Sequence, residues 1–135
     1  MRDILFRGKS YRTKEWIEGY YCNHPHLFSG VLQSYIFIPS YDAETGKGSC
    51  MIYSVIPETV GQFTGLFDRN SKKIFEGDIV DILTENEERG VITYEDGGFV
   101  VKASTFVVDF MSNINGEDVE VLGNIVDNPE LFEEE

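Results

Sequence analysis

The sequence has few of the residues that define several functional classes. Two cysteines among 135 residues are too few for a disulfide framework. No apolar run approaches the ~18–20 residues that span a bilayer, and the amino terminus lacks the apolar core of a secretory signal. The glycines form no phosphate-binding pattern. We therefore expect a cytoplasmic protein with reduced thiols, no membrane contact and no cofactor.

Basic residues are also scarce and unevenly placed. The chain has 11 Lys and Arg against 24 Asp and Glu, a net charge of -13, whereas binding a phosphate backbone needs clustered cations. Residues 1–60 contain six basic and six acidic residues, and residues 61–135 contain five and eighteen. The first fourteen residues are locally +4. We predict a neutral region, 1–60, and an acidic region, 61–135, within one compact unit.

Aromatic and β-branched runs predict an antiparallel sheet in the first region. Three strands are expected, and loops with glycine, proline and serine separate them. The second and third strands are predicted to end at Pro39 and Pro57. The three strands are Trp16–Cys22, Gln33–Ile38 and Ser49–Ile56.

The second region has shorter strands and sharper turns, which predict a small curled or SH3-like barrel from about Gly77 to Val126. A strand over 61–67 and a turn over 68–71 precede it. Asp78–Leu83 alternates polar and apolar residues as a half-buried strand does. Glycines at 97 and 98 and the Asn115-Gly116 pair indicate tight hairpins.

Two segments carry helical signals. Phe106, Phe110 and Ile114 would share a helix face, but the β-branched residues between them favour a strand over 103–112. That choice stays open. Asn128-Pro129-Glu130 is a capping sequence that predicts a short C-terminal helix. The predicted fold class is therefore mainly β with a short C-terminal helix.

One long run resembles the YopX family of phage and prophage proteins. It extends from Pro57 to Asn70 and continues from Lys73 to Val80. The opening 2–7, the aromatic strand 16–21 and the closing segment 121–131 are similar to that family in the same order. The resemblance implies an accessory protein of a bacterial host cytoplasm, with no established activity.

The resemblance also marks residues with an expected structural or binding role and reveals two departures. Ser71 stands where the family has glycine, and Gly8-Lys9 stands where it has Ala-Trp. Trp16 is expected to supply the missing packing. The marked residues are Gln62, Thr64, Gly65, Asp68, Asn70, Glu76, Gly77, Asp78, Gly123, Asn124 and Pro129.

Candidate chemistry is sparse. Cys22, His24 and His26 alternate along a strand and could join Cys50 at a zinc ion, but Pro25 interrupts them and paired-ligand spacing is absent. We predict no metal site. The carboxylates of Glu76, Asp78 and Asp81 could act as a pair, yet Asp78 at a strand entry is expected to accept backbone N–H bonds. No nucleophile and base complete a catalytic set, so we predict no enzyme.

Three functions stay open. The favoured one is a non-catalytic module that binds a protein partner or forms a homo-oligomer through sheet edges and aromatic loops, near Tyr20–Tyr21 and Tyr41. The second is an acidic mimic of nucleic acid that inhibits a host DNA-binding protein. The third is a nucleic-acid-binding module that uses the basic N-terminal strand, which the overall charge disfavours.

Overall fold

A computed structural model shows a mainly β protein with antiparallel strand pairing, which confirms the mainly β part of the predicted fold class. The structure describes residues 4–25, 29–83, 88–95, 97–103, 107–109 and 116–132. Within these ranges there are three short 3-10 turns, Pro57–Thr59, Gly116–Asp118 and Pro129–Phe132. The strands are β1 Phe6–Lys9, β2 Trp16–Pro25, β3 Leu32–Asp42, β4 Lys47–Val55, β5 Gly61–Phe67, β6 Lys73–Phe75, β7 Asp78–Ile82, β8 Glu88–Glu95, β9 Gly98–Ala103, β10 Val107–Asp109 and β11 Val119–Asn124.

The chain forms two compact units that divide within β5, between Gln62 and Phe63. In the first unit the strands lie in the order β4-β3-β2-β1, and β1 also pairs with the start of β5. The three strands predicted for this region are present as β2, β3 and β4. The short β1 adds a fourth strand that the sequence analysis does not include in the sheet.

A close approach of strands fixes the interior of the first unit. Ile36 and Val55 are fully buried there. A β-carbon on Gly8 would lie 3.2 Å from the β-carbon of Val55 and 3.3 Å from Cδ1 of Ile36. Glycine at position 8 therefore lets β1 pack directly against these side chains, where a larger residue would press on them.

The predicted end of the second strand at Pro39 is wrong. Pro39 lies inside β3 and is paired with Cys50 of β4. The register between β2 and β3 extends only as far as Phe37, so β3 beyond it has one neighbouring strand. Proline has no backbone N–H, so it is tolerated in a strand where its nitrogen points to the side that has no neighbouring strand.

The end of β4 is joined to the end of β1. Ser10 and Val55 form an isolated antiparallel bridge, and the N–H of Ile56 donates to the carbonyl of Lys9 at 2.9 Å. The Tyr11 N–H donates to the carbonyl of Ser54 at 3.0 Å. These bonds cover the last residues of β4 and leave the preceding part of its outer edge without a neighbouring strand among the described residues.

The second unit contains a five-stranded sheet in the order β10-β9-β8-β7-β11, together with β6 and the rest of β5. Strand alternation places one face of the sheet in a common apolar core. The core residues are Ile74, Val80, Ile82, Ile92, Phe99, Val101 and Val119.

The predicted barrel is not confirmed. In the described part of the chain this sheet is open, because β10 and β11 lie at its opposite edges. The β8–β9 hairpin is confirmed, with Glu95 paired to Gly98 and Gly97 at φ +81°. Val107–Asp109 is a strand, whereas 104–106 and 110–112 lie outside the described residues, as does Asn115 of the second hairpin signal.

The predicted C-terminal helix is also not confirmed. Pro129–Phe132 forms a single 3-10 turn, and the Leu131 N–H donates to the carbonyl of Asn128 at 3.0 Å. No helix in the described ranges is long and apolar enough to cross a membrane.

Candidate functional site

The marked residue Asp68 joins a turn to a distant strand. Its Oδ1 accepts the N–H groups of Asn70 at 2.8 Å and Lys72 at 2.9 Å, and its Oδ2 accepts that of Val121 in β11 at 3.0 Å. Burial opposes the charge of this carboxylate, but the backbone donors and the nearby Lys72 ammonium outweigh it and hold the pKa of Asp68 below its ordinary value. Asp68 and Asn70 thus organise the β5–β6 turn.

Thr64 and Gly65 shape β5 opposite β6. The hydroxyl of Thr64 is fully buried and donates to the carbonyl of Ile74 at 2.8 Å. Gly65 has φ +90°, and the pairing of the two strands shifts register between Phe63 and Phe67. Glycine is the residue that accepts this conformation without strain. Both marked residues therefore stabilise the irregular part of the β5–β6 pairing.

The marked residues before β7 form a second turn. Asp78 is buried and its Oδ2 accepts the N–H of Phe75 at 2.8 Å, which confirms that this carboxylate accepts a backbone bond. Gly77, at φ +92°, donates to the carbonyl of Ile92 at 2.8 Å and accepts from Ile125 at 2.9 Å. The turn is therefore hydrogen-bonded to β8 through Ile92 and to the segment after β11 through Ile125. Glu76 beside it is half-buried.

The closing marked residues build a third turn. The Asn124 side-chain oxygen accepts the N–H groups of Val126 at 3.0 Å and Asp127 at 2.8 Å. The Asn128 side chain in turn accepts the Asn124 N–H at 3.3 Å. Gly123 adjoins this side chain so closely that a β-carbon would collide with it. Pro129 then begins the last 3-10 turn.

The candidate carboxylate pair does not form. Asp78 and Asp81 are three residues apart on β7, so they point to opposite faces of the sheet. Asp81 instead forms an ion pair with Arg89 at 3.2 Å. The remaining marked residue, Gln62, is half-buried at the point where β5 pairs with Phe6.

The candidate zinc ligands are not brought together either. Cys22 is paired with Tyr35 and Cys50 with Pro39, four residues further along β3, so the two lie about 13 Å apart along the sheet. The ring of His24 stacks on Tyr35 at 4.7 Å. His26 lies outside the described residues. Within the residues that are described, no group of three or more His, Cys, Asp and Glu side chains is placed to hold a metal ion.

The most accessible feature of the first unit is strand β4. Residues Lys47–Ile52 are all exposed, on both faces of the strand, and Met51 and Ile52 are 58% and 60% exposed. β3 and β4 continue to pair as far as Asp42 and Lys47, beyond the end of the pairing with β2. Tyr41 on this two-stranded ribbon is 71% exposed.

A groove of about 660 Å³ lies beside β4. One wall is Met51–Ser54, and the other is the turn Ser10–Thr13, which brings Tyr11 and Arg12 to the groove. A smaller groove of about 330 Å³, lined in part by Leu32, shares Tyr11. Both grooves are lined by polar and apolar side chains.

The turn beside the groove is firmly built. The Ser10 hydroxyl accepts the N–H groups of Arg12 at 3.2 Å and Thr13 at 3.3 Å, and the Ser10 carbonyl accepts that of Lys14 at 2.9 Å. The Lys14 ammonium lies 5.4 Å from the centre of the Tyr11 ring. The groove is thus preorganised on one wall by local bonds.

Comparison with known proteins identifies the family of this chain. The YopX protein family matches residues 5–133. The chain belongs to the YopX family. A solved structure, that of protein EF1440 from Enterococcus faecalis, is similar to it with 28% sequence identity and a TM-score of 0.62, covering 98% of this chain and 100% of that one. No curated protein matches the sequence.

Within this YopX protein, the first departure from the family pattern has a direct structural consequence. Ser71 adopts φ +63°, and its N–H donates to the carbonyl of Asp68 at 3.0 Å. The turn therefore keeps the left-handed position that glycine would occupy. A serine there carries backbone strain that glycine would not.

The second departure is compensated across the sheet. Lys9 is paired directly with Trp16, so the tryptophan lies beside the position where the family has one. The Arg7 guanidinium lies 4.7 Å from the centre of the Trp16 ring, and the Lys9 ammonium 5.5 Å. Trp16 thus lies beside position 9 and contacts two cations of the basic N-terminal segment.

The groove is not predicted from the sequence. Tyr20 and Tyr41 are exposed, but they lie in strands β2 and β3 and not in the loops expected to carry the binding surface. One signal was available, since β4 contains a single charge, Lys47, and no proline. Edge strands are usually protected by such residues. The contribution of Tyr11 depends on a contact with Ser54 across 43 positions of the chain, which no local pattern reveals.

Proposed function

We propose that this YopX protein is a non-catalytic module that binds a protein partner or a second copy of itself. The observation that carries the proposal is the exposed edge strand β4 with its adjoining groove. An extended strand of another chain can add to such an edge through main-chain hydrogen bonds, while side chains enter the groove. The half-exposed Tyr11 and Ile52 supply apolar contact area.

Family membership supports a proposal about the biological origin of this module. We propose that it is a phage- or prophage-encoded accessory protein that acts in the cytoplasm of a bacterial host. A small protein that acts by occupying a partner needs a stable scaffold and one accessible surface. The turns around Asp68, Asp78 and Asn124 supply such a scaffold.

The absence of enzymatic activity is part of this proposal. The carboxylates that the sequence makes prominent are engaged structurally: Asp68 and Asp78 accept backbone N–H groups, and Asp81 is paired with Arg89. Groups fixed in this way are poorly suited to exchange protons with a substrate.

The two nucleic-acid hypotheses draw less support. A mimic of DNA needs free surface carboxylates, but Asp68 and Asp78 are buried, and Glu95 forms an ion pair with Lys102. For direct binding, the ring of Trp16 would be the natural platform for a base, and it lies against Arg7 instead.

The proposal is tested by replacing an exposed side chain of the edge. Ile52→Lys places a charge on the strand and should abolish self-association or the capture of a protein partner from host lysate. Ile125→Lys is the matched control, because Ile125 is also exposed, at 46%, but lies in the other unit. Thermal melting should show both variants folded.

The measurements are sedimentation velocity over a range of concentrations and affinity capture with the intact chain. A protein that stays monomeric and captures nothing sensitive to Ile52→Lys would contradict the proposal. Equal losses for Ile52→Lys and Ile125→Lys would contradict the role of β4.

A further inference from the structure

We propose that the edge of β4 pairs with β4 of a second copy, antiparallel, about a two-fold axis at Cys50. This inference rests on the proposed function and makes its self-binding branch specific. It joins two four-stranded arrays into one continuous sheet. We choose a second copy as the partner because the edge is self-complementary in three respects. These are the direction of its main-chain groups, the fit of its side chains and the charges at its two ends.

The first argument is the direction of the main-chain groups. The Ser54 carbonyl points away from β3, since it accepts the N–H of Tyr11, and the Ile56 N–H points the same way to Lys9. Because successive residues of a strand alternate, Gly48, Cys50 and Ile52 also direct their N–H and C=O groups outward.

Pro39 agrees with this alternation. It is the partner of Cys50 in the unbroken β3–β4 register. If Cys50 turns its hydrogen-bonding groups away from β3, its partner turns its nitrogen away from β4. A proline at 39 therefore removes no bond from the β3–β4 ladder, as its position in a well-paired strand requires.

The second argument is the register. The outward carbonyl of Ser54 is occupied by the Tyr11 N–H, and Gly46 at φ +70° belongs to the hairpin turn before the strand. With the two-fold axis at Cys50, the outward N–H and C=O groups of Gly48, Cys50 and Ile52 all pair with the second copy. No other register achieves this without also requiring Gly46 or Ser54. Gly48 then faces Ile52 of the second copy, and Cys50 faces itself.

The side chains fit this register. Gly48 is open, and a β-carbon there would find its nearest neighbour, the carbonyl oxygen of Ser40, at 3.6 Å. The exposed Ile52 of the other copy therefore has room above it. On the opposite face, Ser49 meets Met51, and the ammonium of Lys47 meets the ring of Tyr53, a favourable cation–aromatic pair.

The third argument is charge at the two ends of the edge. The β3–β4 hairpin carries Asp42 and Glu44 with Lys47, a net charge of -1, at one end of the edge. The Ser10–Glu15 turn carries Arg12 and Lys14 with Glu15, a net charge of +1, at the other, and all six residues are exposed. Antiparallel pairing places the hairpin of each copy beside the basic turn of the other, twice by symmetry. Parallel pairing would place like charges together.

The first measurement is mass by sedimentation equilibrium of the full chain at low and high salt. We expect a species of twice the 15.4 kDa chain mass, with dissociation favoured by salt. Ile52→Lys should weaken association by about tenfold or more, because the Ile52 side chain lies over Gly48 of the second copy. Ile125→Lys should leave it unchanged.

The register is tested by mild oxidation with oxidised glutathione in a Cys22→Ser background. Directly paired residues lie about 5.5 Å apart at their α-carbons, which a disulfide can bridge. Cys50 should therefore link two chains. In a Cys50→Ser, Ile52→Cys variant, the two cysteines would lie about 13 Å apart and should not link.

The orientation is tested by exchanging charges. Arg12→Glu and Glu44→Arg should each weaken the dimer, and the double variant should restore it. A monomer at all concentrations, a dimer unaffected by Ile52→Lys, or linking through residue 52 rather than 50 would overturn the inference. A monomer that still captures a protein partner through β4 would overturn it while leaving the proposed function intact.

Discussion

The carboxylate of Asp68 accepts the backbone N–H of Val121, a residue 53 positions further along the chain, at 3.0 Å. The same carboxylate caps the β5–β6 turn through two nearer N–H groups. One buried side chain thus serves a local turn and a strand from the end of the protein. Its stability contribution should exceed that of an ordinary turn aspartate.

Asp68→Asn should lower the free energy of unfolding by about 1–3 kcal/mol, because the amide turns an N–H group toward a buried backbone donor. Urea-induced unfolding measures this difference. Asp81→Asn is the matched control, and it should cost less than about 1 kcal/mol, since it removes only an exposed pair with Arg89. Similar losses at both positions would contradict the assignment.

The effect of Asp68→Asn should depend on pH. The pKa of Asp68 is lowered in the folded state, so its stabilisation is present above the unfolded-state pKa of about 3.9 and is lost as the pH falls through the folded value. The difference between wild type and variant should be constant from about pH 5 to 7 and should shrink below about pH 4. A difference that persists unchanged to pH 2 would refute this linkage.

Ser71→Gly should stabilise the protein by about 0.5–1 kcal/mol. The left-handed backbone at Ser71 costs a residue with a side chain about 1–2 kcal/mol, and glycine removes this cost. The gain is smaller than the full cost because glycine also raises the conformational entropy of the unfolded chain. Thermal melting tests it. Asn70→Gly, in the same turn at negative φ, should stabilise nothing. A stabilisation at both positions would point to some other cause.

Gly19→Ala should destabilise the first unit by about 1–3 kcal/mol or more, because the β-carbon would collide with the carbonyl oxygen of Phe37 and the side chain of Ile36. Gly48→Ala is the matched control in the same sheet, and it should change stability by less than about 0.5 kcal/mol. Chemical unfolding of both variants decides the point. If Gly19→Ala is tolerated as well as Gly48→Ala, the close approach is not rigid.

The sequence predicts what neighbouring residues determine. The strand predicted over Asp78–Leu83 and the hairpin predicted at Gly97 are both present, because local geometry defines them. The strand is not half-buried as expected, since four of its five residues are buried. Pro39 misleads because the β2–β3 pairing stops at Phe37, and this tertiary fact decides whether a proline can stay in the strand.

The candidate site is less predictable for the same reason. The composition of β4 predicts a strand. Its position at an edge depends on the spatial order of the four strands in the sheet, which is β4-β3-β2-β1. The open sheet of the second unit has the same origin. Short strands and tight turns are compatible with both closed and open sheets, and long-range pairings such as that of β7 with β11 decide between them.

The pairing of β1 with β5 has a consequence during synthesis. β1 can form a hairpin with β2 as soon as both have left the ribosome, but its other edge needs Gly61 and Gln62. The bridge of Ser10 to Val55 is delayed almost as long. Within the first unit, β1 is therefore among the last strands to be fully paired. One of its edges stays open while the roughly 50 residues between β1 and Gly61 are translated, which takes roughly 3–10 s at bacterial rates.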